Sequence, residues 1–144
     1  MTKQAECAGE LVGASATDEL AGAGASAPDE LATLQGYLET CEGLRRTLGI
    51  EGPAPQLHRF AQGECNVNYW FAAPQAALAQ LEARGGVRSD RLVLRVNHVS
   101  QMHLEKQIAY EFSVLDLLEP CGRTPRTLWC DASRTSVPWG VGVE

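Results

Sequence analysis

Leu31, Leu34, Leu38, Cys41, Leu44 and Leu48 recur at intervals of three and four, the spacing of one face of an α-helix. Gly49 follows where a left-handed C-terminal cap is expected. The pattern predicts one amphipathic helix within 28–50, regular over about 29–48, before Gly52, Pro53 and Pro55 break the chain. Beyond Pro55 the period becomes strand-like. Leu57 to Ala61 and Val67 to Ala72 are short β-favouring runs joined by the polar QGECN, which reads as a hairpin. Arg91 to Asn97 (RLVLRVN) is the clearest strand. Between the second and third strands, residues 73–90 favour helix up to Arg84 and end at Gly85-Gly86, an expected surface insertion. Ser100 is placed to cap a second helix whose inward stripe is Leu104, Ile108, Phe112, Leu115 and Leu118, ended by Pro120 and Gly122. Thr127 to Asp131 and Trp139 to Glu144 are the last two strand candidates.

The order helix, strand, strand, strand, helix, strand, strand, with short links, predicts an α+β domain built on a five-stranded antiparallel sheet. Residues 1–27 hold eight Ala, four Gly and two Ser and no aromatic residue, too little apolar surface to offset chain entropy, so a disordered leader is expected there. The 144 residues suit one compact domain, and no apolar run is long enough to span a bilayer. The N-terminus has no apolar core of a secretory signal, which makes the cytoplasm the expected compartment. Net charge is −6, and it sits in residues 1–52, where Lys3, Arg45 and Arg46 face nine carboxylates. The remainder is neutral. Without a basic stripe or polybasic segment, neither nucleic acid nor an anionic membrane is an expected partner. Five irregularly spaced cysteines, without a C-x-x-C pair, predict free thiols rather than a disulfide framework or zinc site. His98 and His103 make no H-E-x-x-H site, and no metal site is expected in this chain.

Two features carry candidate chemistry. Glu111 lies three residues after Ile108 and four before Leu115, which puts a carboxylate on or beside the buried stripe of the second helix. Its candidate partner is Arg95, in the middle of the apolar strand LVLRV. Such a pair either holds a polyanion in register or is a purely structural ion pair. The second feature is the turn Gln62 to Asn68, whose one Gly and two Asn offer backbone N–H groups and amides to a phosphate chain.

The polar Gly/Asn hairpin, the strand with a basic residue and the helix with an inward Glu occur in the order of a kinase-like small lobe. Here the chain resembles the aminoglycoside phosphotransferase and choline kinase group, the phosphotransferase enzyme family. GECNVNYWF resembles the family's G-x-[SA]-N-x-x-Y loop, and LVLRVN its strand ending in Leu-Arg. YEFSVLDLLEPCGRTPRTLWCD is similar to its Glu-helix, turn-Pro and next strand, and PWGVGVE to the strand entering its hinge. The resemblance covers roughly Leu57 to Glu144. Cys65 departs from the usual Ser or Ala, and 73–90 is longer than the family's tight hairpin.

The resemblance implies a protein kinase-like small lobe over 55–144 that binds ATP with Mg2+. Gly63, Glu64, Cys65, Asn66 and Asn68 would lie over the phosphates, Arg95 would contact them, and Glu111 would be its ion-pair partner. Val143 and Glu144 would approach a hinge whose backbone hydrogen-bonds adenine. It implies that the full enzyme moves the ATP γ-phosphate to a hydroxyl of a small molecule. Family members carry the catalytic Asp and the metal-binding Asp in a helical large lobe beyond the hinge, and no H-x-D-x-x-x-x-N occurs here. The expectation is therefore a truncated nucleotide-binding lobe without catalytic residues of its own, inactive alone and prone to self-association through its exposed lobe interface. The competing expectation is a non-catalytic binding or regulatory module of the same shape, with the acidic helix 29–48 as its docking element.

Overall fold

The computed structural model describes residues 27–86, 89–100 and 103–144. The expected leader therefore lies, apart from Ala27, outside the described residues. Among these, the chain forms four α-helices and one five-stranded antiparallel sheet of order β1-β2-β3-β5-β4. The strands are β1 (His58–Gln62), β2 (Asn66–Ala72), β3 (Arg91–Asn97), β4 (Trp129–Asp131) and β5 (Gly140–Val143). The helices are α1 (Ala27–Thr40), α2 (Glu42–Leu48), α3 (Gln75–Ala83) and α4 (Gln107–Leu118), the last followed by a 3-10 turn, Glu119–Cys121. No helix among the described residues is long and apolar enough to cross a membrane.

Alternation along the strands divides the sheet into two unlike faces. Val67, Tyr69 and Phe71 of β2, Leu92, Leu94 and Val96 of β3, and Val141 and Val143 of β5 point one way and join Leu34, Leu38, Leu44, Leu48, Ala77 and Leu81 from α1, α2 and α3 in one core. The opposite face carries α4, through buried Ile108 and Phe112. Two glycines make that seat. A Cβ on Gly140 would stand 2.7 Å from the Ile108 side chain, and one on Gly142 would stand 2.1 Å from the Phe112 ring. The sequence Gly-Val-Gly-Val thus gives its valines to the core and its bare backbone to α4.

Several expectations need correction. The single helix over 28–50 is two: Cys41 adopts an extended ψ of 98° and serves as the N-cap of α2, with Gly49 (φ 68°) as the left-handed cap. The break lets Leu34 and Leu38, then Leu44 and Leu48, all reach the core. That apolar face is consumed within the molecule. Residues 73–90 are not a surface appendage, because Ala77, Leu78 and Leu81 of α3 are buried. Ser100 Oγ accepts the Leu104 N–H at 2.8 Å, but His103 sits in the left-handed region (φ 54°), and α4 starts only at Gln107. Its stripe is Ile108 and Phe112, and Leu118 is exposed. The hairpin β1–β2 has a register shift between Arg59 and Ala61.

Of the three tryptophans, Trp129 and Trp139 pack against the core. The Tyr37 hydroxyl accepts the indole N–H of Trp129 at 3.1 Å and donates to Asp131 at 2.9 Å. Trp70 lies on the α4 face, stacked on His58 at 4.3 Å and covered by the Arg91 guanidinium at 4.2 Å. Both faces of that indole are taken.

Candidate functional site

The candidate site is built from cross-strand register on the α4 face. Asn68, Arg95 and Gly142 oppose one another across β2, β3 and β5, and Asn66, Asn97 and Gly140 form the next row. Because the two glycines let α4 lie close, Glu111, one residue before Phe112, is brought down beside the rows. Its Oε2 stands 3.6 Å from Arg95 Nη1. Its Oε1 accepts from Gln107 Nε2 at 2.6 Å, one helical turn earlier, and from Asn97 Nδ2 at 3.4 Å. Asn97 Nδ2 also donates to Asn66 Oδ1. Sequence and fold meet here: an i, i+4 Gln and a strand residue two beyond Arg95 orient the carboxylate.

A second carboxylate enters from the end of β5. Glu144 Oε1 accepts from Arg95 Nη2 at 2.6 Å, and the Glu144 side chain is only 6% exposed. The Arg95 guanidinium thus lies between two carboxylates, and the three side chains together carry one negative charge. The cluster is incompletely hydrogen-bonded. Arg95 Nε is buried without a hydrogen-bond partner, as are Asn68 Oδ1, Asn97 Oδ1, Gln107 Oε1, Glu111 Oε2 and Glu144 Oε2. Apart from the one donor, Arg95 Nε, these are acceptor oxygens, five of them gathered around the guanidinium.

Of the residues singled out from the sequence, Asn66, Asn68, Arg95, Glu111 and Glu144 come together. Gly63, Glu64 and Cys65 form the hairpin tip, closed by a 2.8 Å bond from the Gly63 N–H to the Asn66 carbonyl and tied by the His98 N–H to the Cys65 carbonyl at 2.9 Å. A Cβ on Gly63 would make only an ordinary contact, at 3.7 Å, and its φ is not positive, so the fold itself does not demand glycine there. Val143 ends β5 and Glu144 follows it. The Val143 carbonyl accepts the Leu128 N–H, and the Glu144 N–H and carbonyl both bond Val93 at 3.0 and 2.8 Å. These backbone groups are used by the sheet, and Val143 points into the core. What this end gives the site is the Glu144 side chain. Asn97 and Gln107 went unread in the sequence. Their only signals were Asn97 sharing the face of Arg95 and Gln107 standing four before Glu111.

Among the described residues no group of three or more His, Cys, Asp or Glu side chains is placed to hold a metal ion. Arg95 is the site's cationic donor, with the amides of Asn66, Asn68, Asn97 and Gln107 around it. The Asn97 and Gln107 amide N–H groups are engaged by Asn66 and Glu111, so the guanidinium is the donor an anionic group would use once a carboxylate withdraws. Compared with family models, with curated proteins and with solved structures, the chain matches none.

Proposed function

We propose that this chain is the nucleotide-binding small lobe of an ATP-dependent phosphotransferase similar to the aminoglycoside phosphotransferase and choline kinase group, acting in the full enzyme on a small-molecule hydroxyl. The observation that carries the reading is the ion pair of Arg95 on β3 with Glu111 on α4, at 3.6 Å. Glu111 would orient the guanidinium, Arg95 would contact the ATP phosphates, and the β1–β2 hairpin with Gly63, Glu64, Cys65, Asn66 and Asn68 would cover them. Mg2+, when bound with ATP, neutralises phosphate charge. In the family its ligands lie in the large lobe.

The competing reading, a non-catalytic binding or regulatory module, is favoured by the 2.6 Å contact from Glu144, which neutralises Arg95 internally. ATP affinity and melting temperature measured on Arg95→Ala, Glu111→Ala and the double variant separate the two. Arg95→Ala is expected to weaken ATP binding at least tenfold, about 1.4 kcal/mol, while the protein stays folded. If both single variants instead lose a few kcal/mol of stability and nucleotide affinity changes only through unfolding, the pair is structural and the proposal fails.

A further inference from the structure

We infer that Glu144 is an internal competitor for the phosphate position: its carboxylate occupies Arg95 Nη2, and an incoming polyphosphate must displace it. The inference rests on the proposed role of Arg95. Three observations carry it. The contact is the shorter of the two that Arg95 makes to carboxylates, 2.6 Å against 3.6 Å for Glu111, so the tighter bond is to the residue outside the orienting pair. The Glu144 backbone is fixed by both its bonds to Val93, so release needs only a turn of the side chain and no strand movement. The bound state is also unfinished, since Glu144 Oε2 and Arg95 Nε are buried without hydrogen-bond partners. A carboxylate with one satisfied oxygen is a weaker occupant than a phosphate group, whose several oxygens can accept from Nε and Nη2 together.

Charge gives the arrangement its effect. With Glu144 in place the site carries two carboxylates to one guanidinium and repels an anion. With Glu144 turned away, Arg95 and Glu111 balance and the freed donors face the ligand. Glu144 therefore sets the affinity threshold of the lobe, and any influence that draws its side chain off Arg95 raises that affinity.

The test is calorimetric titration of inorganic tripolyphosphate and of ATP into the whole chain as wild type, Glu144→Gln, Glu144→Ser, Arg95→Ala and the Arg95→Ala/Glu144→Gln double variant. Removing the competing charge should tighten binding roughly 5–150-fold, the range of ordinary site-to-site coupling. The gain should vanish in the double variant. If wild type binds in an Arg95-dependent way and neither Glu144 variant binds more tightly, Glu144 does not compete; the inference is overturned and the proposed function stands. If none of the proteins carrying Arg95 binds either ligand, the proposed role of Arg95 fails and the inference with it. A measurement on the wild type needs no variant to fold: the 13C resonance of the Glu144 side-chain carboxyl should move as tripolyphosphate saturates, and a resonance unmoved at saturation overturns the competition.

Discussion

Replacing Gly142 by alanine should loosen α4 from the sheet and with it the Arg95–Glu111 pair. The added Cβ would lie 2.1, 2.4 and 2.8 Å from three ring atoms of Phe112, far inside contact distance. Phe112 is 3% exposed, so its ring has no open side into which to retreat. Either the ring leaves its rotamer or α4 lifts, and overpacking of this kind costs about 1–3 kcal/mol. For a domain of this size that is a fall in Tm of roughly 3–5 °C per kcal/mol. Urea denaturation should show a lower midpoint at unchanged slope. Gly36→Ala is the control of opposite sign, because no atom lies within 4 Å of the added Cβ and the residue is inside α1. It should stabilise by about 0.5–1 kcal/mol. Phe112→Leu removes the ring atoms that the new methyl would strike, so combining it with Gly142→Ala should recover part of the loss, a coupling of about 0.5–3 kcal/mol. A Gly142→Ala protein as stable as wild type, or one whose loss simply adds to that of Phe112→Leu, would show that the glycines do not seat α4.

Three further outcomes are expected. Gly63→Ala should leave stability within about 0.5 kcal/mol of wild type, since an added Cβ makes only an ordinary contact, yet weaken ATP binding; unchanged ATP affinity in titration would remove the hairpin tip from the site. Burial alone would raise the Asp131 carboxyl, but hydrogen bonds from Ser133 and Tyr37 outweigh it and hold the group below its ordinary value of 3.8. A depressed folded-state value stabilises above the unfolded value and is lost as pH falls through the folded one, so melting temperatures below pH 3.8 should fall more steeply for wild type than for Asp131→Asn; parallel curves would contradict the assignment. Desolvation, with Asp131 and Asp116 nearby, pushes the Cys130 thiol up to about 11, and at pH 8 it should alkylate more slowly than a small-molecule thiol, as peptide mass spectrometry would report.

The middle of the sheet was legible in the sequence because β2 and β3 alternate. The run Arg91–Asn97 matches β3 residue for residue, and the buried Leu92, Leu94 and Val96 against the outward Val93 and Arg95 explain why. The inward placement of Glu111 was legible from helical spacing and its partner from a charge inside an apolar strand. The break at Cys41 was not, since leucines three and four apart continue through it and the interruption is a single backbone torsion. The close approach of α4 was also hidden: Gly140 and Gly142 read as weak strand residues until the helix above them is known. The contact of Glu144 with Arg95 was hidden for a related reason: it depends on how the end of β5 meets β3, where the Glu144 backbone bonds Val93 and its carboxylate meets Arg95.

The shifted register of β1 bears on how separate molecules meet. β1 is an outer strand of the sheet, and all five of its residues are exposed. A flat strand in that position is a template on which another chain can add its own. Here the partners of Arg59 and Ala61 on β2 are the adjacent residues Tyr69 and Asn68, which leaves Phe60 as a surplus residue. A surplus residue bends and twists its strand and interrupts the even row of backbone donors and acceptors. The same irregularity at Phe60 therefore guards the β1 edge of the sheet against pairing with another molecule.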